Sequence, residues 1–297
     1  MRRLGRAAFS AVMLLCAAVG GMGAAPYGDF PPVDAPVPPG VVVRAHPSFD
    51  SLQQQVGALI DQVGASAGVT LVELGGAQAQ VWSTNGDTGF VAGSTYKLPL
   101  LMLESQQLAA GKVARDDVLC YQSGDWEDGW YTEYQDGSCY TRAELMRRVG
   151  ENSDNTAAHI LVRYDGSAEG LNDYASQHGA IESAFYYPNL TTSNDLARLW
   201  VDEAAGRAGG GGAQLYLYPL LTRTSFEDGI PAGVADGATV VHKTGDIGDE
   251  VNDAALVESG PQGPYVLVVC TQGLGGDAGW KLIADISRAV WQYESTR

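Results

Sequence analysis

The apolar positions of this chain gather into a few periodic stretches. Leu98, Leu101, Met102 and Leu108 anchor a helical repeat and Gly111 supplies a stop, so the pattern predicts a helix over 94–111. Pro99 falls near its first turn, where a missing amide costs least. Thr141-Arg142-Ala143-Glu144 has the form of a capping box opening a second helix, and 156–161 belongs to a third. Residues 238–242 are rich in β-branched side chains and predict a strand that ends at Lys243-Thr244-Gly245. Side chains alternate on a strand, so His242 and Lys243 should point to opposite faces. The unbroken apolar run 265–270 has the pattern of a strand buried on both sides. The glycine run 209–212 reads as a flexible connection between helices, and no internal repeat is visible.

The first 25 residues follow a different pattern. Arg2, Arg3 and Arg6 precede an apolar stretch and then Gly23-Ala24-Ala25, the form of a secretory signal peptide that would carry Cys16 away with it. The stretch is short and rich in Gly and Ala for a membrane span. Seven of the thirteen prolines lie between Pro26 and Pro47, which marks 26–48 as a Pro-rich tether. Residues 49–297 then form one catalytic domain, with a helical subdomain over about 97–200. No second apolar run approaches 18 residues, so the exported protein is expected to be secreted and soluble, a monomer without stable membrane insertion.

A hydrophobic content of 45% is enough for a substantial core. The formal charge is −17, and it becomes −20 once the three leader arginines are gone, with 15 Lys and Arg facing 35 Asp and Glu. Such a surface repels nucleic acid and anionic membranes. Cys120 and Cys139 bracket an aromatic, acidic segment, and export permits a disulfide between them. The aromatics of that segment, among them Trp126, Trp130, Tyr131 and Tyr134, fit either a substrate rim or a local packing cluster. Cys270 sits in the buried-strand pattern as a small apolar thiol. His46, His159, His178 and His242 show no paired ligand spacing, so no metal and no cofactor is expected.

Three polar motifs stand out in order: Ser94-Thr95-Tyr96-Lys97, Ser153-Asp154-Asn155 and Lys243-Thr244-Gly245. Residues three apart share a helix face, so Lys97 lies one turn from Ser94, where a desolvated amine can take the serine proton. Ser94 at a helix start is near free backbone N–H groups that favour a developing oxyanion. A hydroxyl at Ser153 can relay a proton to a leaving nitrogen, and the amide of Asn155 can bind a substrate amide. Gly245 removes a side chain where a substrate must approach a strand. Singly, each motif also fits an ordinary helix cap, helix junction or strand end. Their order is the signature of acyl transfer by serine.

On these motifs the chain resembles the class A β-lactamase-like serine hydrolases of the penicillin-recognising superfamily. The resemblance runs over about 49–291 and includes Ala92-Gly93, Asn155-Thr156-Ala157-Ala158, Leu190-Thr191-Thr192, Ile230-Pro231-Ala232-Gly233 and Asn252-Asp253-Ala254-Ala255. It implies an α/β (α+β) fold of the β-lactamase/transpeptidase type: a five-stranded antiparallel sheet built from both chain ends, flanking helices and a helical subdomain. It also implies an acylated Ser94, proton transfer by Lys97 and Ser153, and acyl-amide binding by Asn155. Lys243 and Thr244 would face a substrate carboxylate, and the backbone of Ser94 and Asp246 would form the oxyanion hole. The substrate would be a small β-lactam or a peptide-like molecule.

Two departures qualify the resemblance. The stretch 181–190 looks shortened and lacks the Glu-x-x-Leu-Asn that would carry the deacylating carboxylate, with Glu182 the only acid nearby. The turn after Gly245 holds Asp246, Asp249 and Glu250 and no Arg to hold an anionic substrate. A β-lactamase with slow deacylation is therefore expected, with a DD-peptidase or a penicillin-binding sensor that barely turns over as alternatives.

Overall fold

The computed structural model describes residues 48–76 and 79–297. The stretch read as a signal peptide and all of the tether except Ser48 lie outside the described residues. In chain order the helices and strands are α1 (Asp50–Val63), β1 (Ser66–Glu73), β2 (Val81–Thr84), β3 (Phe90–Val91), α2 (Lys97–Ala109), β4 (Val118–Cys120), β5 (Cys139–Thr141), α3 (Arg142–Asn152), α4 (Asn155–Tyr164), α5 (Ser167–Gln177), β6 (Leu190–Thr191), α6 (Ser193–Ala204), α7 (Gly210–Leu217), β7 (Val240–Ile247), β8 (Glu250–Val257), β9 (Tyr265–Gln272) and α8 (Gly276–Glu294). Five strands form one sheet in the order β2-β1-β9-β8-β7, with every neighbouring pair antiparallel. Both chain ends feed it, as the resemblance implies.

The apolar run 265–270 explains the layering. Alternate residues of β9 enter two different cores: Val266, Val268 and Cys270 join one, and Tyr265, Leu267 and Val269 join the other. The second core includes Leu52 and Val56 of α1 and Ile283, Ile286 and Val290 of α8. The first lies against the remaining helices, with α2 at its centre. The same alternation runs along β7, where Val241 faces the first core and Val240 the second. Two residues on, Lys243 therefore faces the helical layer while His242 faces the opposite one.

Helix α2 is buried on nearly every side, from Lys97 and Leu98 through Leu100, Leu101 and Met102 to Glu104 and Leu108. It packs against α3, α4, α5 and α7, so it has no solvated face to create a clear polar stripe. Its start differs from the expectation. Residues 93–96 form a 3₁₀ turn, and the α-helix begins only at Lys97. Pro99 then falls in the first α-helical turn, where its missing N–H has no intrahelical partner to lose.

Three other expectations need correction. Lys243-Thr244-Gly245 lies inside β7 rather than at its end, because β7 stays paired with β8 as far as Ile247↔Glu250. The glycine run does not form a loose connection: Gly210, Gly211 and Gly212 are the first turn of α7. A Cβ on Gly209 would come within 3.2 Å of the α2 backbone at Gln106, so bare glycine lets α7 lie close to α2. The capping box is half made. Thr141 Oγ1 accepts the Glu144 N–H at 3.2 Å, but the Glu144 carboxylate turns to Arg147 and Arg148 instead of back to Thr141.

Candidate active site

The three motifs meet where α2, the α3–α4 junction and β7 converge. Lys97 is fully buried, and its Nζ has three near partners: Ser94 Oγ at 2.9 Å, the Ser153 carbonyl at 2.6 Å and Asn155 Oδ1 at 2.5 Å. Burial lowers its pKa to about 7, against the pull of Asp154 and Glu127, whose charge favours the ammonium. Ser94 itself is half-buried on the 3₁₀ turn.

Ser153 ends α3 in the left-handed region, with φ 55°, and Asp154 begins α4 by accepting the Ala157 N–H at 2.8 Å. That junction turns the Ser153 hydroxyl toward both lysines: Lys243 Nζ lies 2.9 Å from it and Lys97 Nζ 3.4 Å. Lys243 also donates to the Thr244 carbonyl at 2.8 Å. Burial, then the charge of Lys97, holds the Lys243 pKa well below the usual range, with Asp253 opposing.

Strand β7 presses directly on the Ser94 turn. A Cβ at Gly245 would lie 2.5 Å from the Ala92 carbonyl and 3.0 Å from the Ser94 nitrogen, so no side chain fits there. A Cβ at Gly93 would lie 3.2 Å from the Asp246 nitrogen, which brings the backbone amides of Ser94 and Asp246 to the same small region. Asp246 is exposed but lies on β7, paired with Val251, rather than in the turn as expected; Asp249 is exposed in the turn, and Glu250 is buried at the start of β8. Thr244 lies between Lys243 and Gly245 on β7 and is nearly buried.

Two asparagines that the sequence reading left without a role fix the Ser94 turn. Asn252 of β8 donates to the Val91 carbonyl at 2.8 Å and the Ala92 carbonyl at 3.2 Å. Asn189 donates to the Gly93 carbonyl at 3.0 Å, and its own carbonyl accepts the Ala92 N–H at 2.8 Å. The pairing of β3 with β6 brings segment 181–190 into this position. From that segment the Tyr186 ring packs on Tyr96, with centroids 5.7 Å apart, and on His159 at 5.1 Å. Glu182 is exposed, and its N–H is held by Asp195 at 2.8 Å.

The Cys120–Cys139 disulfide is present, across directly opposed residues of β4 and β5, and Cys270 is a buried free thiol. The aromatics of the closed loop divide between the two readings. Tyr134 donates to Asp154 at 2.6 Å, and Arg148 lies over the rings of Tyr131, Tyr134 and Tyr140, a local cluster. Trp126 and Trp130 are exposed, with Trp130 edge-on to Phe226 across 6.0 Å. Among the described residues, no group of three His, Cys, Asp or Glu side chains is arranged to hold a metal ion, and no helix is long and apolar enough to cross a membrane.

Comparison with known proteins bears on the family and the fold. The chain is 29% identical over 131 residues to a β-lactamase of Rhodobacter capsulatus, a match covering 44% of this chain and 44% of that protein. The sequence match thus spans less than half of that relative's length. Over its structure the chain is similar to PBP-A, with a TM-score of 0.76 and 28% identity, covering 82% of this chain and 96% of that one. A mutant of PBP-A in an acyl-enzyme complex with penicillin G is similar to the same degree, with a TM-score of 0.76, 28% identity, and 83% and 97% covered. The model of the beta-lactamase enzyme family matches residues 51–294, most of the chain. With its sheet, its helices and its three convergent motifs, the chain belongs to the beta-lactamase enzyme family.

Proposed function

We propose that this chain is an exported serine hydrolase of the class A β-lactamase type, with residues 49–297 as its catalytic domain, opening β-lactam amides through a Ser94 acyl-enzyme. The observation that carries this reading is the buried Lys97 amine 2.9 Å from Ser94 Oγ. Two of its hydrogens are directed to the Ser153 carbonyl and Asn155 Oδ1. The neutral amine then presents its lone pair to Ser94 and takes the hydroxyl proton as Oγ attacks the carbonyl carbon. The amides of Ser94 and Asp246 meet the oxyanion. Ser153, between two amines, passes a proton to the departing nitrogen. Asn155 holds the substrate amide, Lys243 and Thr244 meet its carboxylate, and Gly245 leaves it room.

Deacylation is the slow half of the cycle. Segment 181–190 supports this, because it turns Tyr186 and Asn189 toward the Ser94 turn while Glu182, its one carboxylate, is exposed. The same feature favours a second reading, a DD-peptidase acting on cell-wall peptide ends. Time-resolved intact mass with benzylpenicillin and with a D-Ala-D-Ala peptide separates the two. A slowly resolving penicilloyl adduct without peptide cleavage is expected, and efficient peptide cleavage would favour the peptidase. Ser94→Ala should form no adduct and keep its circular dichroism. An adduct on that variant would remove Ser94 from the mechanism.

A further inference from the structure

Glu127 belongs to the disulfide-closed loop, where the sequence marks it only as one acid among several. The loop backbone fixes it tightly. Its N–H donates to Thr156 Oγ1 at 3.1 Å, and the same hydroxyl donates to the Glu127 carbonyl at 2.9 Å. The next carbonyl, that of Asp128, accepts the Asn155 amide at 2.7 Å, and Asn155 Oδ1 in turn faces Lys97 Nζ. Glu127 is therefore one residue away from a chain of contacts that ends on the amine beside Ser94.

Its side chain turns to α4, where Oε2 lies 3.0 Å from His159 Nε2. The other ring nitrogen, Nδ1, is 3.1 Å from the Asp125 carbonyl. The ring is thus held from both sides, by a backbone carbonyl and by the Glu127 carboxylate. Burial lowers the His159 pKa and the Glu127 charge opposes it, so the contact orients the Glu127 carboxylate against the ring without taking it out of its ionised form. This clamp fixes one carboxylate oxygen, while the side chain as a whole stays 54% exposed and so open to water. The His159 ring rests on Tyr186, and Tyr186 rests on Tyr96, next to the Ser94 turn. The charge of Glu127 is felt at Lys97, Tyr96 and Tyr186.

We infer that Glu127, clamped by His159, is the carboxylate that activates water for the deacylation of Ser94. The inference rests on the Ser94 acyl-enzyme proposed above, and it assigns the residual turnover that the shortened segment 181–190 leaves unserved. In the step, the water oxygen bonds to the acyl carbonyl carbon as one water proton passes to Glu127. The tetrahedral adduct collapses, the ester bond to Ser94 Oγ breaks, and Oγ regains a proton from Glu127. One water is consumed, and one carboxylic acid and the free serine result.

The test follows adduct formation and loss by intact mass on the full chain with benzylpenicillin, comparing the parent, Glu127→Gln and Glu182→Gln. We expect Glu127→Gln to acylate within about twofold of the parent and to lose the adduct on the order of 10²-fold more slowly, a typical general-base contribution. Glu182→Gln should match the parent in both steps. Adduct loss at the parental rate in Glu127→Gln overturns the inference. So does an equal fall in both rates, which would mark a loop-positioning role. A parent that gains no adduct at all would instead remove the acyl-enzyme reading and this inference with it.

Discussion

Lys97 has to lose a proton before it can take one. Its pKa near 7, set by burial, means that the neutral fraction grows as pH rises through neutrality. The acylation rate with a fluorescent penicillin should therefore climb from about pH 6 to about pH 8. Lys97→Ala should flatten that rise and slow acylation by about 10²-fold. A variant that acylates at the parental rate would refute the base role. At this scale the sequence was informative wherever spacing is local. Ser94 and Lys97 are three apart, and Ser153-Asp154-Asn155 is one helix junction, so their geometry follows from the backbone. Asn252, His159, Glu127 and the neighbours Tyr186 and Asn189 come from four separate segments of the chain. Only tertiary packing unites them around the same serine, and no local signal announces it.

The loop between Cys120 and Cys139 is an element defined by its closure more than by regular structure. Its ends face each other across β4 and β5, and between them it gives backbone to Asn155 and Thr156 and two side-chain or backbone donors to Asp154. Replacing both cysteines by serine should cost about 3 kcal/mol of stability if chain entropy dominates. Urea unfolding reads the loss, and a non-reducing peptide map should find Cys270 as the sole thiol among these three. Free Cys120 in exported protein would contradict the pairing. The bracketing in the sequence suggested this element, because the two cysteines mark its limits. Strand β7 was legible only as far as its β-branched residues extend. Its second half is polar and glycine-containing, and pairing with β8 rather than its own propensity keeps it extended. The first turn of α7 was missed for a similar reason. Its glycines are poor helix formers, and close approach to α2 overrides that preference.

Across the whole molecule, the alternation on β7 separates chemistry from stability. Lys243 faces the site, and its neighbour His242 faces the other layer, fully buried between Asp253 at 2.9 Å and Glu227 at 3.2 Å. Burial disfavours the imidazolium, but the two carboxylates outweigh it and raise the pKa to about 9 from the usual 6.5. The folded state thus binds this proton more tightly than the unfolded chain. The stabilisation is complete below pH 6.5 and is lost as pH rises through about 9, a change of about 3 kcal/mol. The stability gap between the parent and His242→Gln should shrink over that window, since the other titrating groups are common to both. A gap independent of pH would mean that His242 is not charged. The sheet built from both chain ends was legible only through the family resemblance that the motifs carry, while the unbroken apolar run of β9 by itself marks one buried strand. The layer each strand residue faces required the register. One consequence of this interior concerns chemical labelling. The sequence has four lysines, and two of them, Lys97 and Lys243, are sealed inside. The other two, Lys112 after α2 and Lys281 on α8, are exposed. An amine-reactive dye or resin should therefore couple to lysine side chains at these two positions alone. It should give a tethered or fluorescent protein whose Ser94 still accepts penicillin.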